Sequence, residues 1–345
     1  MTTTPRDDRT ALVTGGTGFL GSHLVAELLA RGWRVRTCGR RTRPPGVPRA
    51  AEYVCAELGG DAPLDSVVRD VTHVFHLAGL SSSIATDEEM RRANVDGTRQ
   101  LLEAAAGAGV ERVVHVSTSS VYGSSVQLPL PVPEDAEKHP SPGYGQTKWE
   151  GEKVAFAIAE DQGLPVAVLR PTTVYGPGAV KLLASTVLDA AIERFAGLDT
   201  FAVDSDEIEL RMVHIDDLVG ACLHLAEHPT AATAAYNLAG SYPTNHQVGE
   251  VIAEELGMKL DLTDDPERGL AYADRAAAHE RMLERGMTDG IMLKEERVRF
   301  LKKSNRNNRL SLEALAATGF EPQVTDVPTS VASAVRWYRD VRWII

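Results

Sequence analysis

The feature that most constrains the fold is a glycine-rich segment near the start of the chain. It lies between a short apolar run at residues 11–13 and an amphipathic stretch that ends near Gly32. This order predicts a strand, a tight turn and a helix, and a second strand follows at residues 33–37, which completes a right-handed βαβ unit. The glycines fit two spacings, G-x-G-x-x-G with Gly16, Gly18 and Gly21, and G-x-x-G-x-x-G with Gly15, Gly18 and Gly21.

Such a turn lets the backbone approach a pyrophosphate, and the free N–H groups of the following helix can hold the phosphates. A glycine-rich turn without a ligand is the alternative interpretation. The flanking strand and helix are the context that dinucleotide binding requires, and they favour a binding turn. We therefore expect a dinucleotide to contact Gly15, Gly18, Phe19, Leu20 and Gly21.

Arginines follow the second predicted strand. NAD-binding proteins usually place an acidic residue at this point for the ribose 2′-hydroxyl, whereas this chain has Gly39, Arg40 and Arg41. A guanidinium group pairs with a 2′-phosphate through bidentate, charge-assisted hydrogen bonds. The sequence thus predicts NADP(H) as the preferred cofactor, with NAD(H) possible. The competing interpretation is a solvated loop in an arginine-rich chain.

Composition limits the partners and the compartment. The chain has 36 Lys+Arg against 48 Asp+Glu, and this net charge of −12 argues against affinity for nucleic acid. The widely spaced cysteines, Cys38, Cys55 and Cys222, exclude a disulfide framework and a structural zinc site, and we expect no metal. The N-terminus is polar, and no apolar run reaches the roughly 18 residues of a membrane helix. We expect a cytoplasmic protein with a small-molecule substrate and no nucleic-acid or membrane partner.

Further motifs follow in order along the chain. They are His76-Leu77-Ala78-Gly79, Asn94-Val95-Asp96-Gly97-Thr98, Ser117-Thr118-Ser119-Ser120-Val121-Tyr122-Gly123, Tyr144-Gly145-Gln146-Thr147-Lys148, Arg170-Pro171-Thr172-Thr173-Val174-Tyr175-Gly176-Pro177-Gly178 and Val213-His214-Ile215-Asp216-Asp217-Leu218. Together they resemble the extended short-chain dehydrogenase/reductase superfamily, which includes the NAD-dependent epimerases and dehydratases of sugar nucleotides. The resemblance runs from about residue 10 to about residue 260 and resumes near residue 310. It implies an α/β fold with a Rossmann-type, doubly wound parallel sheet.

Tyr144 and Lys148 are spaced for proton transfer. Because they are four residues apart, they lie on one face of a helix. The ordinary pKa of tyrosine, near 10, is too high for a base at neutral pH, but a nearby ammonium group and an oxidised nicotinamide would lower it. Tyr144 can then exchange a proton with an alcohol or a carbonyl oxygen. By resemblance, Thr118 is the family's catalytic Ser/Thr and Lys148 also binds the nicotinamide ribose, while Ser119 and Ser120 are rivals for the hydroxyl role.

The resemblance implies further contacts to cofactor and substrate. Glu57-Leu58 stands where the family usually has Asp-Leu beside the adenine. The other implied cofactor contacts are Leu77, Ala78, Gly79, Ser117, Tyr144, Lys148, Pro171, Thr173 and Val174, and the implied substrate contacts are Ser81, Ser119 and Ser120. We interpret Asn94 as structural and His214 as a core histidine rather than a catalytic one.

Three reactions share this apparatus in the family. Dehydratases carry Asp-Glu after the catalytic threonine, where this chain has Ser119-Ser120. Nucleotide-sugar 4-epimerases hold NAD with a carboxylate after the second strand, and they tend to have Asn at the position of Thr173. We therefore expect an NADP(H)-dependent oxidoreductase that interconverts a secondary alcohol and a ketone on a sugar or natural-product intermediate, similar to the family's dihydroflavonol reductases and hydroxysteroid dehydrogenases. A 4-epimerase with tightly held NAD is the alternative, and a non-catalytic NADP-binding regulator is a third, against which the retained catalytic residues argue.

After Gly178 the chain departs from regular alternation of strands and helices. We expect a dinucleotide-binding domain of residues 1–178 plus about 211–239, and a smaller, discontinuous substrate-binding domain of about 179–210 and 240–345. By resemblance we expect a homodimer, formed through the helix after Asn94 and the helix that carries Tyr144.

Basic residues in the later part of the chain are candidate substrate contacts. Arg211 and Arg309 each lie near a place where nucleotide-sugar enzymes of the family use a basic residue. The segment 261–309 ends in a basic stretch, which is either a lid whose cations meet an anionic substrate or, more simply, a charged helical surface. Its basic residues are Lys294, Arg297, Arg299, Lys302, Lys303, Arg306 and Arg309.

Overall fold

The structure is a computed structural model, and it describes residues 9–81, 85–228, 233–265, 268–287, 291, 293 and 309–345. The chain divides into two compact units. The first unit combines the chain up to Thr172 with Leu218–Leu238 and Asn307–Glu321, and the second combines Thr173–Asp217, Ala239–Arg306 and Pro322–Ile345.

Strands and helices alternate along the first half of the chain. The strands are β1 Thr10–Thr14, β2 Arg34–Gly39, β3 Glu52–Cys55, β4 His73–His76, β5 Arg112–Val116, β6 Val166–Pro171, β7 Thr173–Tyr175, β8 Thr200–Asp204, β9 Met212–His214, β10 Ala234–Leu238 and β11 Lys259–Thr263. The α-helices are α1 Phe19–Ala30, α2 Asp65–Val68, α3 Asp87–Arg91, α4 Gly97–Gly107, α5 Tyr144–Gln162, α6 Leu183–Phe195, α7 Ile215–Glu227, α8 Asn245–Glu255, α9 Tyr272–Glu284, α10 Glu313–Ala316 and α11 Val327–Asp340.

The first unit contains a seven-stranded parallel sheet in the order β10-β6-β5-β4-β1-β2-β3. The strand order reverses between β1 and β4, which is the arrangement of a doubly wound dinucleotide-binding sheet. Apolar residues of β1, β4, β5 and β6 form a core with the helices α2, α4 and α5. The predicted fold class is confirmed.

The turn between β1 and α1 depends on glycine at two points. Gly15 has a left-handed backbone with φ +72°, which a side chain rarely adopts. Gly21 lies in the first turn of α1, and a Cβ there would meet the Gly15 carbonyl oxygen at 2.2 Å. The helix therefore approaches the preceding turn closely only because position 21 has no side chain.

The second unit has two small parallel sheets, β11-β8 and β7-β9. Its apolar core joins α6, α8, α9 and α11 with these strands. The salt bridges of this unit include Arg275 with Asp189 at 2.6 Å and Arg336 with Glu255 at 3.0 Å.

The compact units differ from the expected domain boundaries in three segments, residues 173–178, 211–217 and 307–321. β10 pairs with β6 in the main sheet, whereas β9 pairs with β7, and β7 and β9 both belong to the second unit. Conversely, the segment with α10 belongs to the first unit, because Val132 pairs with Leu310 and the Asn237 amide donates to the Ser311 carbonyl at 3.2 Å. Strand pairing and hydrogen bonds between residues distant in sequence thus decide which unit each segment joins. The hydropathy pattern along the chain does not reveal these contacts.

Within the described residues, no helix combines the length and apolar character needed to cross a membrane.

We predict that Gly21→Ala lowers the free energy of unfolding by roughly 1–3 kcal/mol, because its Cβ would overlap rigid backbone atoms of Gly15. Gly107→Ala is the matched control, since Gly107 ends α4 with no atom within 4 Å of the position a Cβ would take. Denaturant unfolding of both variants measures the difference. Equal stability of the two variants would contradict the close approach of α1.

Candidate active site

The ends of neighbouring parallel strands bring the predicted cofactor residues to one edge of the sheet. The Leu77 amide, after β4, donates to the Thr14 carbonyl at 3.3 Å, and the Ala78 amide donates to the Thr14 hydroxyl at 3.2 Å. A Cβ on Gly15 would meet the Ala78 nitrogen at 2.9 Å. The glycine turn and the segment after β4 are therefore in direct contact, as a ligand spanning both would require.

The glycine turn fits a pyrophosphate. Gly18 is the N-cap of α1, and no side chain caps its N-terminal N–H groups. Phe19, Leu20 and Gly21 form the first turn, which carries no acidic residue. The uncapped N–H groups and the partial positive charge of the helix N-terminus favour a phosphate at this position.

Arg40 and Arg41 follow β2 directly, and both are exposed. Neither has an ion pair with any other described residue. The neighbouring Arg43 is held in the loop, because its guanidinium donates to the carbonyls of Pro48 at 2.6 Å and Ala51 at 3.1 Å. Two of the three arginines are thus available for a ligand at the strand end, while the third shapes the loop.

The other predicted cofactor residues lie in both units. Glu57 and Leu58 come after β3, where the Glu57 carboxylate pairs with Arg92 at 3.5 Å and Leu58 packs against the core. Pro171 ends β6 in the first unit, while Thr173 and Val174 belong to β7 in the second.

The three predicted catalytic residues come together between β5 and α5. Thr118 is the N-cap of a 3₁₀ turn, Ser119–Tyr122, which follows β5. Tyr144 is the first residue of α5, and its hydroxyl is near enough to Thr118 for a hydrogen-bonding interaction that lowers its pKa. Lys148, one turn further along, is buried, and its Nζ donates to the Val116 carbonyl at 2.8 Å.

The pKa values of this group differ from the sequence expectation. Burial raises the pKa of Tyr144 above its ordinary value, and the interaction with the Thr118 side chain opposes that increase without cancelling it. Burial likewise lowers the pKa of Lys148 to about 8, against the opposing charge of Glu152. The structure therefore does not show the expected lowering of the Tyr144 pKa by Lys148, because burial is the largest cause and raises it.

Glu152 and Arg170 were missed as site residues. The Glu152 carboxylate is completely buried and pairs with the Arg170 guanidinium at 2.7 Å, and it accepts a hydrogen bond from the Ser117 hydroxyl. Arg170 also donates to the Tyr122 hydroxyl at 2.9 Å. The sequence held one signal: Glu152 comes eight residues after Tyr144, on the face that carries Lys148.

Two further polar side chains tie the loop after β4 to the helices. Asn94 lies in a π-helical turn, Arg92–Asp96, and its amide oxygen accepts from the Leu80 amide at 2.7 Å while its nitrogen donates to the Thr147 hydroxyl at 2.9 Å. The His76 ring lies between the hydroxyls of Thr14 at 2.8 Å and Thr98 at 3.0 Å. Both side chains are completely or almost completely buried and hold the ends of β1 and β4 against α4 and α5.

The predicted substrate residues are only partly brought to this site. Thr118 donates its hydroxyl proton to the exposed Ser120 hydroxyl at 3.1 Å, and Ser119 is partly exposed beside it. Ser81 ends the described part of the loop after β4. Arg309 belongs to the first unit and Arg211 to the second. The other basic residues of the predicted stretch, from Lys294 to Arg306, lie outside the described residues.

Comparison with known proteins gives one family. Residues 11–239 match the model of the NAD dependent epimerase/dehydratase family. A 4-hydroxy-2-methyl-3-oxo-4-farnesyl-3,4-dihydroquinoline-1-oxide ketoreductase of Stigmatella aurantiaca is 30% identical over 77% of this chain and 78% of its own length. A UDP-glucose 4-epimerase of Vibrio cholerae is 28% identical over 73% of this chain and 76% of its own. An uncharacterized protein of Sinorhizobium fredii, y4nG, is 29% identical over 73% of this chain, which spans only 62% of that protein.

Two solved structures resemble the whole chain. The UDP-glucose 4-epimerase of Thermotoga maritima, solved with UDP-glucose, superposes with a TM-score of 0.74 at 22% identity, over 96% of this chain and 99% of that one. MoeE5, solved with UDP-glucuronic acid and NAD, has a TM-score of 0.70 at 28% identity over the same shares. The first likeness bears on the fold alone, and both agree with the Rossmann-type sheet.

The buried His76 predicts a pH-dependent stability. Burial lowers the pKa of His76 to about 3, so the unfolded chain binds a proton near pH 6.5 that the folded chain does not. Stability therefore falls as pH decreases below that value, and this histidine alone accounts for a loss of about 2 kcal/mol between pH 7 and pH 5.

We expect His76→Asn to remove that loss, measured as the difference in urea unfolding free energy at the two pH values. Thr98→Val is the control, because it removes a hydrogen-bond partner of the imidazole and keeps the titrating group. It should lower stability similarly at both pH values. A pH dependence of His76→Asn equal to that of the wild type would refute the assignment.

Proposed function

We propose that this chain, which belongs to the NAD dependent epimerase/dehydratase family of extended short-chain dehydrogenases/reductases, is an NADP(H)-dependent oxidoreductase that interconverts a secondary alcohol and a ketone. Family membership confirms the resemblance drawn from the motifs, and the relatives include reductases, dehydrogenases and epimerases that use NAD(P). The proposed substrate is a small molecule, either a sugar or a natural-product intermediate.

The observation that carries the proposal is the convergence of Thr118, at the start of the turn after β5, with Tyr144 at the N-terminus of α5 and Lys148 one turn further along that helix. In ketone reduction, Tyr144 donates its phenolic proton to the carbonyl oxygen while Thr118 holds that oxygen by a hydrogen bond. In this proposal the ammonium group of Lys148, one turn along α5, stabilises the resulting phenolate. The nicotinamide supplies or accepts the hydride when it is bound, so a ketone, a hydride and a proton give the alcohol.

The choice of NADP(H) rests on Arg40 and Arg41. Both are exposed directly after β2, where a carboxylate would select the ribose 2′-hydroxyl of NAD. A 2′-phosphate at the same place gains two charge-assisted contacts. MoeE5 was solved with NAD, so similarity to it does not favour NADP(H), and the choice of cofactor depends on these two arginines.

The alternative is a nucleotide-sugar 4-epimerase that retains NAD. It is favoured by MoeE5, which at 28% identity was solved with NAD and a UDP-sugar acid. Against it stand Arg40 in place of a carboxylate and Thr173 in place of the asparagine common in such enzymes. Sequence identity does not distinguish a reductase from an epimerase, since the ketoreductase is 30% identical to this chain and a UDP-glucose 4-epimerase is 28% identical. A non-catalytic regulator is disfavoured because Thr118, Tyr144 and Lys148 are all present.

We predict that Arg40→Ala combined with Arg41→Ala weakens NADPH binding by at least tenfold, about 1.4 kcal/mol, while NADH binding changes little. Titration of cofactor fluorescence measures both affinities. Arg49→Ala is the matched control, because Arg49 is an exposed arginine in the same loop. Equal losses for NADPH and NADH would refute the cofactor assignment. NAD(H) that copurifies and resists dialysis would instead support the epimerase.

Tyr144→Phe should reduce turnover of an accepted ketone by roughly 10²–10⁴, because only the proton donor is lost, while NADPH affinity stays near that of the wild type. Substrates are found by following NADPH absorbance against a panel of sugar, polyketide and steroid-like ketones. Tyr272→Phe is the control, since Tyr272 is largely exposed and lies in the second unit. Full activity of Tyr144→Phe on such a ketone would remove the proposed mechanism.

A further inference from the structure

Val116, the last residue of β5, and the two residues that follow it contact three positions on one face of α5. The helix positions are separated by four residues each, so they lie above one another on successive turns. The pairs are the Val116 carbonyl with the Lys148 ammonium at 2.8 Å, the Ser117 hydroxyl with the Glu152 carboxylate, and Thr118 with Tyr144. Two of these helix positions, Tyr144 and Lys148, belong to the proposed catalytic group. The third, Glu152, does not belong to that group.

Glu152 is held in a fixed position by its own partners. Its carboxylate has no solvent exposure, and a buried charge of this kind is tolerated only when it is paired and hydrogen-bonded. The Arg170 guanidinium, 2% exposed, supplies Nε at 3.1 Å and Nη2 at 2.7 Å to Oε2. Arg170 is fixed in turn by the Tyr122 hydroxyl at 2.9 Å and the Glu134 carbonyl at 2.8 Å.

We infer that Glu152 is a positioning residue for the hydride-transfer site: its carboxylate ties Ser117 to α5 so that Thr118 stays within reach of Tyr144, and it places a negative charge one turn from Lys148. The inference rests on the proposed function, because that function assigns the work to Thr118, Tyr144 and Lys148. Glu152 does not belong to the proposed catalytic group. It acts only through Ser117, to which it is hydrogen-bonded, and through its charge near Lys148.

Among the charged groups around Lys148, the Glu152 carboxylate is the one that favours the protonated lysine. Burial lowers the pKa of Lys148 to about 8, and the Glu152 carboxylate is the anion that opposes this. The other titrating groups nearby are His76 on β4 and His115 on β5, both buried and neutral, and Tyr144 on α5 itself. Arg170 on β6 is charged but paired with Glu152. Removal of the Glu152 charge therefore takes away the anion that, among the described residues, opposes deprotonation of Lys148, and Arg170 without its carboxylate partner adds to the same effect.

The direct test follows the lysine without any substrate. The chain has eight lysines, so ¹³Cε-lysine labelling gives a resolvable NMR spectrum in which Lys148→Met identifies the signal. We expect the Lys148 midpoint, near pH 8 in the wild type, to fall by about one pH unit or more in Glu152→Gln. Glu160→Gln, the same change at an exposed position of α5, should leave it in place. An unchanged midpoint in folded Glu152→Gln would overturn the inference.

Kinetics test the same residue on the accepted substrate. In alcohol oxidation the rate falls at high pH as Lys148 loses its proton, so Glu152→Gln should move this limb of the kcat profile to lower pH. Glu152→Asp keeps the charge and should restore the limb. A residue that served stability alone would lower the melting temperature without moving the limb, and that result would contradict the inference.

Ser117→Ala tests the tether separately and keeps the Glu152–Arg170 pair, so it also covers the case in which Glu152→Gln does not fold. We expect kcat to fall about tenfold or more, with the Lys148 midpoint unchanged. Wild-type kcat in Ser117→Ala would overturn the tethering role. A shifted Lys148 midpoint in Glu152→Gln with no turnover of any ketone would support the inference and contradict the proposed reaction, so the two failures are distinguishable.

Discussion

A carboxylate buried away from water has to be neutralised by a partner in fixed geometry, and the pairing of Glu152 with Arg170 meets this requirement. Glu152 belongs to α5 and Arg170 to β6, which pairs with β5 in the sheet. The ion pair therefore fixes the position of the helix relative to two adjacent strands. Because buried ion pairs add little net stability compared with apolar packing, we interpret this pair by what it positions, which is the helix that carries Tyr144 and Lys148.

The parallel sheet brings the other segments of the site together. All its strands end at one edge, so the glycine turn, the segment after β4 and the threonine turn after β5 meet without any long loop. Buried polar side chains then set their spacing. His76 joins the Thr14 and Thr98 hydroxyls, and Asn94 joins the Leu80 loop to Thr147. The edge that would hold the cofactor is thus supported from within the protein by groups that never contact solvent.

Sequence patterns predicted the parts of this structure that repeat a local rule. The apolar runs gave β1, β2, β4 and β5, and the spacing of Tyr144 and Lys148 placed both on one helix, as the structure has them. The patterns did not predict that β9 leaves the main sheet or that the α10 segment joins the first unit, because both depend on pairing between residues distant in sequence. The sequence does not identify Glu152 and Arg170 as site residues for a related reason. A buried charge is recognisable only when its partner, 18 residues away on another element, is seen beside it.

The pKa of Tyr144 bears on the direction of the proposed reaction. Burial raises this pKa, and the interaction with the Thr118 side chain, which favours the phenolate, does not cancel that effect. At neutral pH the tyrosine therefore keeps its proton, which is the state needed to donate to a carbonyl oxygen. Alcohol oxidation needs the phenolate, so it requires positive charge nearby, and Lys148 with a pKa of about 8 supplies that charge only while Glu152 helps to keep it protonated. The buried charges behind the site thus suit ketone reduction at neutral pH and make the reverse reaction sensitive to the state of a single lysine.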